Sequence, residues 1–318
     1  MSAKSLKVHI VGGGVSGLVA AQVLEKHGLI PVIIEATDRV GGRLKTDIID
    51  GFQLDRGFQV LLSSYSAAKK YLDYKALELQ KLRAGSCIFI NGKQKFFGDP
   101  LRDFTLFFPT LFSGIGNMSD KIKIAKLNFR LQKKTIAEIF EGDEITTKQY
   151  LDNLGFSKNI IQNFFLPFFS GIFLENSLKT PSRMFEFVFK MFGEGLGVLP
   201  KGGIEDISKQ LKEKLQSTEI HYNTLASKVK NKIITLSNGK KIESHYIIIA
   251  TESSSLVENL KKQQIDWKSC ENLYFTCANR VYDKAFIGLI ANKESLINNI
   301  FYPTSLKTIQ RGKSDLIS

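Results

Sequence analysis

Few residues in this 318-residue chain are of the kinds that hold metals or form covalent staples. Its three cysteines, Cys87, Cys270 and Cys277, make no C-x-x-C, and its four histidines show no metal-ligand spacing. A structural metal is therefore not expected, and a reduced, cytoplasmic setting is. No uninterrupted apolar run of about 20 residues exists, so no spanning helix is predicted. Residues 1–7 lack the apolar centre of a signal peptide. Acidic residues are also in short supply: 31 Asp and Glu against 44 Lys and Arg give a net charge of +13. The lysines are spread along the whole chain beside many Ile, Asn and Phe residues, and no RNA- or DNA-binding motif accompanies them. Compositional drift accounts for the excess, and nucleic acid is not expected as a partner.

What is present is enough apolar material, 43% of residues, for two structural units with a sizeable core. The chain is organised around residues 6–43. A β-branched run, Val8-His9-Ile10-Val11, leads into Gly12-Gly13-Gly14-Val15-Ser16-Gly17 and then a helical pattern over residues 15–27, with Leu18, Val23 and Leu24 spaced to face a sheet. A second apolar run over residues 30–34 ends in Glu35, which closes a compact βαβ unit with an acid at its tip. Gly12 permits the sharp turn, Gly14 lets a pyrophosphate approach the backbone, and Gly17 lets the helix lie close on the strand. Val15 and Ser16 open the helix, whose free N–H groups and partial positive charge suit a diphosphate. Glu35 can accept hydrogen bonds from the two ribose hydroxyls of an adenosine and would repel a 2′-phosphate, which favours FAD or NAD over NADP.

The next residues narrow the cofactor. Glu35-Ala36-Thr37-Asp38-Arg39-Val40-Gly41-Gly42-Arg43 resembles the E-A-x-x-R-x-G-G-R signature of the flavin amine oxidase superfamily, which also contains protoporphyrinogen oxidase-like and phytoene desaturase-like enzymes. Gly41 and Gly42 would let the chain pass close to a flavin, and Arg39 or Arg43 could neutralise the phosphates. The resemblance implies FAD as cofactor, and an α/β fold in which a Rossmann-like FAD-binding domain carries an inserted α+β substrate domain.

Three hairpins are predicted around two-residue turns, Asp50-Gly51, Asn91-Gly92 and Asn238-Gly239. After the first comes Asp55-Arg56-Gly57. By resemblance, Gly57 brings backbone against the isoalloxazine ring; an ordinary turn is the alternative. The texture changes between residues 85 and 100. A phenylalanine-rich stretch, residues 104–112, gives way to a helical pattern over residues 119–140. It sets Ile122, Ala125, Phe129, Ile136 and Ile139 on one side and Lys123, Lys126, Arg130 and Lys133 on another. Such a helix either packs in a domain with a solvated lysine face, the preferred expectation, or rests on an anionic membrane surface. A second aromatic run, residues 164–173, is expected in the core or as the wall of an apolar cavity.

Pro200-Lys201-Gly202-Gly203 resembles the P-x-G-G segment that returns the superfamily's chain to its flavin domain. By the same resemblance Val229 hydrogen-bonds the adenine through its backbone, and residues 245–251 form a parallel strand buried on both faces. The expected division is residues 1–85 and 196–272 for FAD, and 86–195 and 273–318 for substrate. Superfamily members normally continue for roughly a hundred residues more to a Gly-Asp loop. Nothing after Thr251 matches that loop, so the chain reads as a truncated member with an open sheet edge and a half-covered flavin. The resemblance implies hydride transfer to FAD from a C–N or C–C bond of an amine or apolar small molecule. An NAD-dependent enzyme, a non-catalytic remnant and a membrane-surface isoprenoid desaturase or isomerase remain alternatives. No catalytic acid or base stands out, and the oligomeric state stays open.

Overall fold

The computed structural model describes residues 6–260, 266–292 and 294–318; the first five residues of the segment read for a targeting signal lie outside them. Val8–Val11 and Pro31–Ile34 pair in parallel, joined by the helix Val15–Lys26. Tyr246–Ile249 pairs with Val8–Val11 on the other side, and Glu219–His221 adds to Pro31–Ile34. The helix turns Gly17, Leu18, Ala21 and Gln22 onto this sheet, where Ile10 and Ile33 are fully buried. Each such side chain contributes about 1.5–3 kcal/mol. A second helix, Asp206–Glu213, lies beside the first and is tied to it by Gln22 Nε2 donating to the Leu211 carbonyl at 2.7 Å. The opposite face is covered by the antiparallel strands Ala226–Lys230, Ile233–Leu236 and Lys241–Glu243, through Val11, Ile34, Ile234 and Leu236.

One strand departs from expectation. Tyr246–Ile249 is half-exposed rather than buried on both faces. It forms the sheet edge, and among the described residues its only strand partner is Val8–Val11. Tyr246 faces solvent.

The second half of the fold is built on a mixed sheet, Asn299–Ile300, Ile287–Ile290, Gly85–Ile90 and Lys93–Gly98. All three expected hairpins form, and the first two place Asp50, Gly51, Asn91 and Gly92 at positive φ, as their turns require. Helices pack on the sheet around Ile88, Ile115, Leu131, Phe165, Phe169 and Phe185. The aromatic run therefore divides: Phe165 and Phe169 are core, while Phe164, Phe168 and Phe173 pack half-buried against it.

The helix expected over residues 119–140 is two helices, Met118–Lys133 and Ile136–Glu141. The break is a capping box. The Thr135 hydroxyl accepts from the Glu138 N–H at 3.2 Å, and the Glu138 carboxylate accepts from the Thr135 N–H at 2.6 Å, which starts a new helix. The first helix is also rotated from the expected orientation. It buries Asp120, Leu127 and Leu131, so Ile122, Ala125 and Phe129 point outward.

Candidate functional site

The carboxyl ends of the parallel strands meet the start of the helix Val15–Lys26, and the site is built there. Gly12 has φ +107°, and a Cβ on it would press the Ala250 carbonyl oxygen at 2.9 Å. At Gly17 a Cβ would overlap the Gly12 carbonyl oxygen; the helix lies this close because nothing projects from either residue. Gly14 differs. A Cβ there would meet only Gly42 Cα, at 3.9 Å, so its side of the turn is open space. Gly14 caps the helix with no side-chain bond, and the first turn, which holds Val15 and the exposed Ser16, carries no acid. The helix N-terminus thus presents unpaired N–H groups and positive potential to whatever occupies that space.

The second glycine pair closes on the first. The Gly41 N–H donates to the Gly13 carbonyl at 3.0 Å, Gly14 and Gly41 form an isolated bridge, and a Cβ on Gly42 would come within 3.3 Å of Gly14 Cα. Arg43 projects from this crossing, exposed and without an ion-pair partner among the described residues. Ala36, which follows Glu35, is exposed.

Glu35 is buried at the tip of Pro31–Ile34. One carboxylate oxygen accepts from the Gly13 N–H at 2.7 Å, and the other from the Thr37 N–H at 2.9 Å and the Thr37 hydroxyl at 2.7 Å. Lys45, also buried, donates to the Thr37 hydroxyl oxygen at 2.9 Å. The acid is held rigidly by these bonds, which take three of its roughly four lone-pair directions and leave one for a ribose hydroxyl.

Arg39 is engaged by two carboxylates. Its Nε donates to Glu205 at 2.8 Å and a terminal nitrogen donates to Asp47 at 2.8 Å, so its charge is neutralised within the protein, in contrast to that of Arg43. Glu205 also accepts from the Thr46 N–H at 2.9 Å. Asp47 is held below the usual carboxylate range by the Arg56 hydrogen bond, with Arg39 adding to it. Next to this cluster Asp55 accepts from the Thr46 hydroxyl at 2.6 Å and the Ile204 N–H at 3.0 Å. Burial nevertheless pushes its pKa up, with Asp206 and Glu205 adding repulsion. The glycine turn, the first hairpin and the P-x-G-G return are sutured at one point.

Gly57 has φ +86° and lines a small cavity with Phe58, Gln59, Tyr274 and Phe301. Gln59 Nε2 donates to the Arg43 carbonyl at 2.9 Å, which joins the Gly57 turn to the Gly41-Gly42 turn. Val229 donates its N–H to the Leu256 carbonyl at 2.9 Å. A backbone N–H has one proton, so an adenine contact through the Val229 backbone would fall to its carbonyl.

The structure thus brings together Gly12, Gly14, Val15, Ser16, Gly17, Glu35, Ala36, Gly42 and Arg43, with Gly57 adjoining through Gln59. The sequence reading missed Thr37, Lys45, Asp47 and Glu205. Glu205 carried a usable signal, an acid at the start of a helix directly after a glycine turn; a lysine buried on a hydroxyl carried none. The open space at Gly14, the uncapped helix start, the fixed acid and the free Arg43 fit the diphosphate and ribose of a dinucleotide. Among the described residues no cluster of His, Cys, Asp and Glu has the makings of a metal site, and no helix is long and apolar enough to cross a membrane.

Comparison with known proteins places these features in context. The family model described as flavin containing amine oxidoreductase matches residues 15–285. An L-amino-acid oxidase from Bothrops atrox is 21% identical over 339 residues, covering 93% of this chain and 64% of that protein. The chain spans less than two thirds of the length of the first curated relatives it matches. An oxidoreductase of known structure from Methanosarcina mazei is 17% identical with a TM-score of 0.68, covering 98% of this chain and 78% of that one. Putrescine oxidase bound to putrescine is 20% identical with a TM-score of 0.63, covering 98% and 74%. At these identities the two structures establish the likeness of fold.

Proposed function

Because this chain belongs to the family of flavin-containing amine oxidoreductases, with FAD as its cofactor, we propose that it is an oxidoreductase acting on a C–N or C–C bond of an amine or apolar small molecule. The observation that carries the proposal is the open cradle at Gly14 beneath Arg43, beside a Glu35 held for a ribose. Bound FAD supplies the two-electron chemistry, accepting a hydride equivalent from the substrate. The chain's own residues bind and orient it. The helix start and Arg43 hold the diphosphate, Glu35 takes a ribose hydroxyl, and Gly42 and Gly57 allow backbone to lie against the ring system. In this reading residues 1–85 and 196–272 hold the cofactor, and residues 86–195 and 273–318 face the substrate. The free thiols of Cys87, Cys270 and Cys277 suit a cytoplasmic setting.

Two neighbours supply the amine arm of the proposal, an L-amino-acid oxidase and a putrescine oxidase. A second reading, a long apolar substrate such as an isoprenoid, is favoured by the half-buried Phe164, Phe168 and Phe173 beside the core. The test is the visible spectrum of the purified chain after addition of FAD and gel filtration, followed by anaerobic titration with amines, amino acids and polyenes. Retained flavin that one class bleaches supports the proposal and selects the substrate arm. A colourless chain, or a flavin that no donor reduces, favours a non-catalytic binding role instead.

A further inference from the structure

One part of the surface is apolar where a folded chain in water gains nothing from exposing it. The helix Phe107–Phe112 is inside out: Thr110 is buried, and its hydroxyl bonds the Gly98 backbone N–H at 3.0 Å, while Phe108 is 63% exposed and Phe112 76%. Their rings stack on each other at 6.4 Å and 3°. Phe104, 76% exposed, precedes them in the same segment. The segment is anchored from beneath by buried Leu106 and by the Arg83–Asp103 ion pair, so it holds its phenylalanines outward on a fixed support.

A second observation lies on the neighbouring helix. Met118–Lys133 turns Ile122 and Phe129 to solvent and keeps Leu127 and Leu131 for the core. Lys121 Nζ donates to the Leu111 carbonyl at 2.7 Å, which fastens the two apolar surfaces side by side. Around them the charge is one-sided. Residues 93–134 contain nine Lys or Arg, two of which, Arg130 and Lys134, pair with Glu186, and three Asp. Of the three, Asp120 is buried on Asn117 and Ser157, and Asp103 is paired. Lys133 lies over the Phe129 ring at 4.3 Å, the position of a long side chain that reaches past an apolar face to meet an anion.

We infer that this face docks on an anionic lipid bilayer, with Phe104, Phe108 and Phe112 inserted among the acyl chains and the lysines of the adjoining helix on the headgroups. Outward aromatic rings that pair with one another along one segment, bordered by cations, are the composition of an interfacial anchor. The net positive balance chooses anionic lipid over a neutral one. The inference goes beyond the cofactor reading and stands apart from it, since docking needs neither flavin nor substrate.

The test is sedimentation of the full chain with phosphatidylcholine–phosphatidylserine vesicles and with pure phosphatidylcholine vesicles. Three variants accompany it: Phe108→Ser with Phe112→Ser, Lys126→Glu with Lys133→Glu, and the control Leu225→Ser, an exposed apolar residue elsewhere. Circular dichroism confirms that each is folded. The expected result is binding to the anionic vesicles, at least about tenfold weaker in the Phe pair, about fivefold weaker per lost lysine, and unchanged in the control. No binding to either vesicle overturns the inference, as does an equal loss in the control. Self-association that the Phe pair abolishes, with no lipid binding, would assign the face to a second copy of the chain.

Discussion

Replacing Gly17 and Gly14 separately by alanine should divide the two tasks of the glycine turn. At Gly17 the added methyl would overlap the Gly12 carbonyl oxygen and sit 3.4 Å from Ile10 Cγ2. A backbone carbonyl and a fully buried side chain cannot step aside, so the helix Val15–Lys26 must retreat by roughly 1 Å or more, at about 1–3 kcal/mol. That is a large share of a stability of roughly 5–15 kcal/mol. At Gly14 φ is −75°, an ordinary value, and the methyl would meet only Gly42 Cα at 3.9 Å. Loss of a glycine cap costs the fold about 1 kcal/mol or less. The methyl stands, however, where a diphosphate must approach the N–H groups, and FAD affinity should fall by at least about tenfold, or 1.4 kcal/mol. Urea denaturation of the flavin-free chain measures the first quantity, and quenching of flavin fluorescence measures the second. Gly17→Ala should lose stability; Gly14→Ala should keep it and lose FAD. A Gly17→Ala chain as stable as wild type, or a Gly14→Ala chain that binds FAD undiminished, would refute the packing argument.

Other outcomes follow from the same geometry. Glu35→Ala leaves the buried Gly13 N–H without its acceptor, so flavin-free stability in urea should drop by about 1–3 kcal/mol, together with FAD affinity. Burial, with repulsion from Asp206 and Glu205, raises the Asp55 pKa above its ordinary value, so the folded state binds that proton more tightly than the unfolded chain. Its contribution is therefore fully favourable below about pH 4 and is lost as pH rises through the folded pKa. Asp55→Asn keeps an acceptor for Thr46 and Ile204 and should remove that decline from the pH profile of the urea midpoint; an unchanged profile would count against it. Cys270 is exposed, whereas burial pushes the Cys87 thiol up to about 12. Titration with a thiol reagent should label Cys270 rapidly and Cys87 only in denaturant.

Much of the cradle was legible in the sequence because its constraints are local. Gly12, Gly17, Gly41 and Gly42 are positions where a side chain would strike backbone or strain φ, and Glu35 ends a strand whose length fixes where its carboxylate stands. The hairpins were legible for the same reason, each turning on Asn-Gly or Asp-Gly. What escaped depends on distant parts of the chain. Arg39 resembles a phosphate ligand until Glu205, 166 residues later, arrives beside it. Val229 loses its N–H to a segment that spacing alone does not bring near. The orientation of Met118–Lys133 misled for another reason: Ile122, Ala125 and Phe129 recur at helical spacing, but Leu127 and Leu131 do so as well, and periodicity does not say which stripe finds a core. Thr135 and Glu138 did mark the helix break, as a capping box inside an otherwise continuous pattern.

The suture of Arg39, Asp47 and Glu205 also bears on the order of events during synthesis. The βαβ unit at residues 8–34 leaves the ribosome early with two strands of its sheet. The partners at Glu219–His221 and Tyr246–Ile249 follow only after the whole helical insert, and long-range pairings of this kind form slowly. Until Glu205 emerges, Arg39 and Asp47 lack the carboxylate that binds the glycine turn to the returning chain. The nascent protein therefore carries every residue of its nucleotide fingerprint long before it has a rigid place to hold a nucleotide.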